Sequence, residues 1–358
     1  MRHRFHAICP YFAMFPEHFV RKHLIWSQPG DWIFDPFSGR GTTAFESLLN
    51  ERQAAGCDTN PVAVCISRAK TSPPVKRKTL ERLEHLREGC IQGEELDPSD
   101  FFRLCFHPRT LGQLLYLRRS LAWQENDVDC FLAALVLGCL HGESHRSRRY
   151  FSNRMPRTIS TKPDYSVRWW RHNGYEPPER DVFTILGNEV EYRFLTPPPE
   201  GRGKILQGDA RTASRLFPGL SEKVKLVITS PPYLDTTNFA EDQWLRLWFL
   251  GGPERPLKVR ADDRHTSTAY YWKFLQEAWA GICDLLRPDA RLIIRIGGAR
   301  LTQADIAQGL ISSLEEGLGR RLALEEQRMS EISGGQVRSF QAKARGARFE
   351  YDFHFRLG

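Results

Sequence analysis

Asp31-Trp-Ile-Phe-Asp-Pro-Phe-Ser-Gly-Arg-Gly-Thr-Thr43 reads as a strand, a glycine loop and the start of a helix in direct succession. Trp32–Phe34 is a short apolar strand that runs into Asp35. Gly39 and Gly41 permit a tight turn and close backbone approach to a ligand. The stretch from Thr43 to Asn50 then has helical character. Strand, Gly-x-Gly and helix together make the first βα turn of an open, nucleotide-binding sheet. The third glycine of the dinucleotide fingerprint is missing, because position 44 is Ala, and no Gly-Lys-Ser/Thr follows to form a phosphate-cradling loop. Moving outward, a second apolar run ends at Gly56-Cys57-Asp58, before Asn60-Pro61. An acid at the tip of the second strand either binds ribose hydroxyls or caps the next helix.

A second stretch adds chemistry to this frame. The apolar run Val224–Ile228 ends at Thr229-Ser-Pro-Pro-Tyr233. Two consecutive prolines lack N–H groups and have fixed φ, so a central strand cannot continue through them. A lone Pro-Pro is ordinary punctuation. At the carboxyl edge of a sheet the same turn presents the Ser230 hydroxyl, bare carbonyls and the Tyr233 ring. Those groups suit a planar molecule with an amino group: the oxygens accept N–H bonds and the ring stacks.

Asp35–Thr43 resembles motif I of the S-adenosylmethionine-dependent amino-methyltransferases of DNA, and Ser230-Pro-Pro-Tyr233 resembles their catalytic motif IV. Cys9–Phe19 resembles motif X, whose aromatic and backbone groups line the methionine end of the cofactor. The resemblance covers roughly residues 5–70 and 204–298. It implies an α/β, Rossmann-like class I methyltransferase fold. The expected sheet is mixed, with an antiparallel last strand, and carries a mainly helical or irregular inserted target-recognition region. S-adenosylmethionine is the implied cofactor. Its implied binding residues are Tyr11, Phe12, Phe15, Asp35, Pro36, Phe37, Ser38, Gly39, Gly41, Thr42, Thr43, Asp58 and Asn60. Asp209, at a motif III position, either accepts the adenine amino group or is a plain turn aspartate. Ser230, Pro231, Pro232 and Tyr233 are the implied catalytic residues, and no catalytic cysteine is implied. The chain divides on this reading into 1–72 (motifs X, I and II), 73–203 (helical insert and target recognition) and 204–358 (motifs III, IV and onward). The order X, I, insert, IV departs from the commonest order for Ser-Pro-Pro-Tyr enzymes. Serine at 230, where adenine enzymes commonly carry Asp or Asn, tilts the resemblance to cytosine N4, with adenine N6 as the alternative. An RNA amino-methyltransferase and a non-catalytic DNA-binding subunit are the further alternatives.

Charge and spacing support the same class. The chain has 51 Lys and Arg against 43 Asp and Glu, a net charge of +8, which fits a polyanionic partner. Residues 141–172 hold Arg146, Arg148, Arg149, Arg154, Arg157, Lys162, Arg168 and Arg171 against Glu143 and Asp164. Tyr150, Phe151, Tyr165, Trp169 and Trp170 are interleaved with them. Arginines grip phosphates and read guanine edges, and aromatic rings stack on bases; the other reading is a solvated basic loop over a few buried rings. Double-stranded DNA is the expected partner, RNA the alternative, with a possible restriction or defence component beside it. The eight cysteines include no Cys-x-x-Cys and no zinc-ligand spacing, so no metal is expected. The longest apolar stretch, Phe131–Leu140, is too short to span a bilayer, and the first residues lack a cleavable leader. These features imply a soluble, cytoplasmic protein with reduced thiols. Helices are expected over Pro16–Trp26, Thr79–Gln92, in two or three pieces over Phe101–Leu140, and over Tyr270–Leu286. Residues 173–203 read as a return linker. Phe349–Phe355 alternates strictly and reads as the last strand.

Overall fold

The sheet is built from β1 (Trp32–Asp35), β2 (Gln53–Asp58), β3 (Lys204–Gln207), β4 (Val224–Thr229), β5 (Leu286–Gly297), β6 (Leu322–Glu331) and β7 (Phe349–Leu357), in the order β3-β2-β1-β4-β5-β7-β6. β1 to β5 pair in parallel, while β7 runs antiparallel to both β5 and β6. This is the Rossmann-like methyltransferase arrangement, with β7 as the reversed strand. The computed structural model describes residues 2–11, 15–91, 98–155, 162–234, 239–257, 267–298, 301–331 and 349–358. Phe12, Arg157 and the basic stretch 332–348 lie outside them.

In chain order the helices are α1 (Glu17–His23), α2 (Thr42–Leu49), α3 (Pro61–Thr71), α4 (Lys76–Glu88), α5 (Asp100–Cys105), α6 (Pro108–Ser120), α7 (Asp127–Cys139), α8 (Pro163–Asn173), α9 (Val182–Arg193), α10 (Ala213–Leu216), α11 (Phe239–Asp242), α12 (Trp244–Phe249), α13 (Thr268–Ile282) and α14 (Gln303–Leu318). The chain forms two compact units. One, Phe12–Ser67 with Pro199–Thr237 and Arg260–Gly358, contains the whole sheet. The other, Met1–Tyr11 with Arg68–Pro198 and Asn238–Val259, is helical. Among the described residues no helix is long and apolar enough to cross a membrane.

Burial on both faces explains why the central strands read as nearly continuous apolar runs. Ile33, Leu226, Ile228 and Ile293 pack with Phe15, Phe19 and Val20 on the α1 side. Their neighbours Phe34, Val227, Leu292 and Ile294 pack with Leu275, Trp279, Leu310 and Leu314 of α13 and α14. A register shift between Trp32 and Ile33, opposite Val224 and Leu226, accompanies the change of face by which Val224 and Leu226, two positions apart, enter different cores. α14 starts at a reciprocal capping box between Thr302 and Asp305 and stops at Gly319, which has φ 60°.

β7 shows the period-2 logic most clearly. Tyr351, Phe353, Phe355 and Leu357 enter the α13/α14 core. Glu350, Asp352 and His354 alternate with them, so they face the other side. On that side Asp352 lies opposite Arg295 of β5 and makes a two-pronged ion pair with it, at 2.7 and 2.9 Å. The Arg295 guanidinium also lies 4.1 Å from the centre of the Phe19 ring. His354 Nε2 meets His23 Nε2 of α1 at 2.8 Å.

The helical unit holds helices that its sequence reading did not name, α8 and α9 among them. Residues 173–203 are not a plain return linker, because α9 occupies their middle. Asp181 caps it by accepting the Thr184 N–H at 2.7 Å. Its buried residues Val182, Phe183, Leu186 and Val190 hold it in place. In the basic stretch, Phe151 and Trp170 are fully buried, and the Trp170 indole donates to the Arg154 carbonyl at 2.6 Å. Those two rings are core and not contact groups. Trp169 is half-buried against Tyr175, with ring centres 5.0 Å apart.

Candidate active site

Strand order reverses between β1 and β4: the chain builds β2 and β3 on one side and β5 on the other. Open α/β sheets bind ligands beyond the carboxyl ends of the strands at such a switch point. Both motifs sit there. Asp35 ends β1 and Thr229 ends β4, and the Thr229 hydroxyl donates to Asp35 Oδ1 at 2.6 Å. The same oxygen accepts the Phe37 N–H at 3.1 Å. Thr43, at the start of α2, donates its hydroxyl to the Ile228 carbonyl at 2.9 Å. The two strand tips and the first turn of α2 are therefore locked together. Burial pushes the Asp35 carboxyl up to about 6, against the stabilising hydrogen bonds from Thr229, Phe37 and Thr43.

The glycine loop is folded by its own backbone. Gly39 and Gly41 have φ of 49° and 70°, in the left-handed region that side chains resist. At Gly41 a Cβ would also stand 2.7 Å from the Ser67 hydroxyl of α3. The Gly41 N–H returns to the Ser38 carbonyl at 2.7 Å, and Ser67 donates to the Gly39 carbonyl at 2.8 Å. Asp58 secures the loop from the tip of β2: Oδ2 accepts the Gly39 N–H at 2.8 Å and Oδ1 accepts the Asn60 N–H at 2.9 Å. Burial raises the Asp58 carboxyl above its usual range despite these N–H groups. Asn60, rather than Asp58, caps α3 by accepting the Val62 N–H at 3.0 Å. Pro36 is buried, with its carbonyl 3.5 Å from the Cys57 thiol. Thr42 is buried and accepts from Arg40 Nε at 3.3 Å. Phe37 is half-buried against Phe274 and Trp279.

Asp209 lies just past β3, at the same edge. It accepts the Arg211 N–H at 2.9 Å and pairs with the Arg211 guanidinium at 2.8 Å. Phe15 is buried in the α1-side core, and Tyr11 is buried among the residues of the helical unit.

One atom in the loop is unusual. The Ser38 hydroxyl is buried and has no hydrogen-bond partner among the described residues. A buried hydroxyl without a partner costs about 1–3 kcal/mol. A loop with two left-handed glycines and one buried orphan hydroxyl fits a ligand that brings its own polar groups. S-adenosylmethionine, with its amino-acid, ribose and adenine groups, is such a ligand.

At the β4 tip, Ser230 Oγ donates to Tyr233 Oη over 3.4 Å, and Tyr233 Oη donates to Glu350 Oε1 at 2.9 Å. Burial, then the Glu350 charge, raises the Tyr233 phenol well above its ordinary value, so it stays protonated. Burial also raises the Glu350 carboxyl, against Arg295, whose Nη1 is 3.4 Å from Glu350 Oε2. Thr229, Ser67 and Glu350 were not among the expected site residues. The strict alternation of β7 does mark Glu350 as facing away from the apolar core.

In the helical unit, Arg146, Arg148, Lys162, Arg168 and Arg171 are exposed. Arg146 pairs with Glu143 at 3.0 Å and Arg171 with Asp100 at 2.7 Å, exposed pairs that contribute little. Arg149 is half-buried with Glu189 at 3.4 Å. The Arg154 guanidinium lies over the Tyr175 ring and donates to its hydroxyl at 3.2 Å.

Comparison with known proteins bears on the motifs. Residues 3–68 match the family model for DNA methylases of the N6/N4 type. The type II methyltransferase M.MvaI of Kocuria varians is 26% identical over 230 residues, 60% of this chain and 49% of that protein. The orphan methyltransferase M.BamHII of Bacillus amyloliquefaciens is 47% identical over 47 residues, 13% of this chain and 18% of that protein. The chain thus spans about half or less of the length of these relatives. Among solved structures, TrmN from Thermus thermophilus aligns over 99% of this chain and 52% of its own, at 11% identity and a TM-score of 0.40, a likeness too distant to carry an argument.

Proposed function

We propose that this chain, a DNA amino-methyltransferase by its motifs and its DNA methylase segment, transfers a methyl group from S-adenosylmethionine to the exocyclic amino group of a base in DNA, cytosine N4 in preference to adenine N6. The observation that carries the reading is the Ser230-Pro-Pro-Tyr233 turn at the tip of β4, joined through Thr229 and Asp35 to the glycine loop after β1.

S-adenosylmethionine supplies an electrophilic methyl group when bound. Ser38, the Gly39–Gly41 backbone, Asp58, Asn60 and Asp209 are the residues assigned to hold it, at the ends of β1, β2 and β3. The amino group to be methylated is stacked inside a duplex, so the target nucleotide swings out into a pocket, at a cost of a few kcal/mol. Tyr233, anchored through its hydroxyl, offers the stacking face. Ser230 Oγ and the Pro231 carbonyl accept the two N–H groups, which turns the nitrogen lone pair toward the methyl carbon. Acceleration comes mainly from this positioning. The exposed Arg146, Arg148, Lys162, Arg168 and Arg171 are assigned to DNA phosphates.

The test is transfer of labelled methyl groups to unmodified DNA, followed by digestion to nucleosides and mass spectrometry. N4-methylcytosine supports the proposal in full. N6-methyladenine keeps the mechanism and changes the base. Label in RNA alone, or in neither polymer, overturns it.

A further inference from the structure

Amino methylation leaves one proton to dispose of. As the target nitrogen takes the methyl group through its lone pair, the old carbon–sulfur bonding pair stays on sulfur and the nitrogen becomes cationic. It must then lose one of its two N–H protons to restore a neutral methylated amine. Ser230 is a poor acceptor by itself, because its hydroxyl has no base of its own within the turn.

The geometry supplies an acceptor one residue further. Ser230 Oγ donates to Tyr233 Oη, and Tyr233 Oη donates to Glu350 Oε1 at 2.9 Å. The two hydroxyls point the same way, toward a carboxylate on another strand. The Ser230 link is long at 3.4 Å, but catalytic hydrogen bonds commonly tighten only when substrate is bound. β7 places Glu350 opposite Gly297, which has no side chain, at the carboxyl end of β5. Arg295 holds the other carboxylate oxygen at 3.4 Å. Asp352, two residues along the same strand face, occupies Arg295 with two hydrogen bonds, so Arg295 is shared and does not fully neutralise Glu350. Lys22 of α1 stands 4.0 Å from Asp352. Among the described residues, Tyr233, Arg295 and Asp352 are the ionisable groups that act on Glu350, and Glu350 keeps about a quarter of its side chain exposed, at 26%.

We propose that Glu350 is the terminal proton acceptor of the transfer reaction, reached from the target amino group through Ser230 and Tyr233. The proton from the cationic nitrogen goes to Ser230 Oγ, the Ser230 proton to Tyr233 Oη, and the Tyr233 proton to Glu350 Oε1. Both hydroxyls end as they began, the carboxylate becomes a carboxylic acid, and the methylated amine is neutral. The exposed edge of Glu350 then returns the proton to solvent. Burial raises this carboxyl, which makes it a better acceptor than an exposed glutamate. Glu350 touches no substrate atom; it acts through Tyr233. The proposal rests on the amino-methyl transfer reading above.

Single-turnover methyl transfer measured against pH tests it. In the natural protein the rate falls on the acid side as Glu350 takes a proton in advance. Glu350→Gln keeps the bond to Tyr233 but accepts no proton: the rate drops about 10²-fold, the acid limb disappears, and cofactor affinity is unchanged. Glu350→Asp recovers part of the rate and restores an acid limb. Tyr233→Phe cuts the chain between the two ends and abolishes the acid limb in the same way. A second readout needs no turnover: the Tyr233 phenol, followed by ultraviolet titration, ionises at lower pH in Glu350→Gln than in the natural protein. An acid limb that survives in either Glu350→Gln or Tyr233→Phe overturns the relay. If the natural protein transfers no methyl group to nucleic acid, the reaction assignment fails; the relay then fails with it, whatever the phenol titration shows about the Tyr233–Glu350 bond.

Discussion

Ser38→Ala should move ligand-free stability and cofactor affinity in opposite directions. The Ser38 hydroxyl is buried, at 4% exposure, with no partner among the described residues. Leaving such a group unsatisfied costs about 1–3 kcal/mol in the folded state. Alanine removes the oxygen and keeps the rest of the side chain, so the void left is small, and urea unfolding of the ligand-free variant should show a gain of about 1 kcal/mol. The assignment of Ser38 to the cofactor site has the hydroxyl gain a partner when cofactor binds. Losing that bond removes about 0.5–1.5 kcal/mol, which corresponds to binding weaker by up to about tenfold. Calorimetric titration with S-adenosylhomocysteine gives the affinity, and the urea midpoint at constant slope gives the stability. A variant that is destabilised by 1 kcal/mol or more while binding the ligand normally would show that Ser38 is a structural hydroxyl, and the loop would lose its assignment.

Three further outcomes are expected. Arg295→Met leaves the buried Asp352 without its two-pronged partner, with only Lys22 at 4.0 Å, and should cost about 3 kcal/mol; the double variant with Asp352→Leu should recover most of that loss in urea unfolding. His23, held by burial down to about 3, and His354, also lowered, stay neutral in the folded protein while the unfolded chain takes up protons below its ordinary histidine value. Stability contributed above about pH 6.5 is therefore lost as pH falls, and His23→Gln should flatten that loss between pH 6.5 and 4 in urea midpoints. Arg148→Glu with Arg168→Glu should weaken DNA binding at every sequence and reduce the salt slope by about one unit per lost phosphate contact; an unchanged slope returns these arginines to a solvated surface.

Much of the sheet was readable in advance because its signals are local. Gly39 and Gly41 mark the loop through their backbone demands, Pro231 and Pro232 end β4, and Phe349–Phe355 announces β7 by alternation alone. Both faces of β1 and β4 are buried, so their apolar runs were plain. What stayed hidden depends on distant partners. Glu350 meets Tyr233 across 117 positions, and nothing near either residue reveals the pairing. α9 was obscured because prolines flank it on both sides, although its Asp181 cap and buried Val182, Leu186 and Val190 are normal helix features. The arginine count in 141–172 could not separate Arg149, engaged with Glu189, from the exposed Arg148. Nor could the aromatic count separate buried Trp170 from Trp169.

The alternation of β7 has a consequence for how the protein can change. One face of the strand carries Tyr351, Phe353 and Phe355 into the core; the other carries Glu350 and Asp352 to Tyr233 and Arg295. A single residue inserted within it would exchange the two faces beyond that point, placing carboxylates among the α13 and α14 side chains and phenyl rings beside the Ser230–Tyr233 turn. Point substitutions act on one face, whereas a one-residue insertion or deletion within the strand disturbs both. The strand therefore tolerates changes of composition at single positions better than one-residue changes of length.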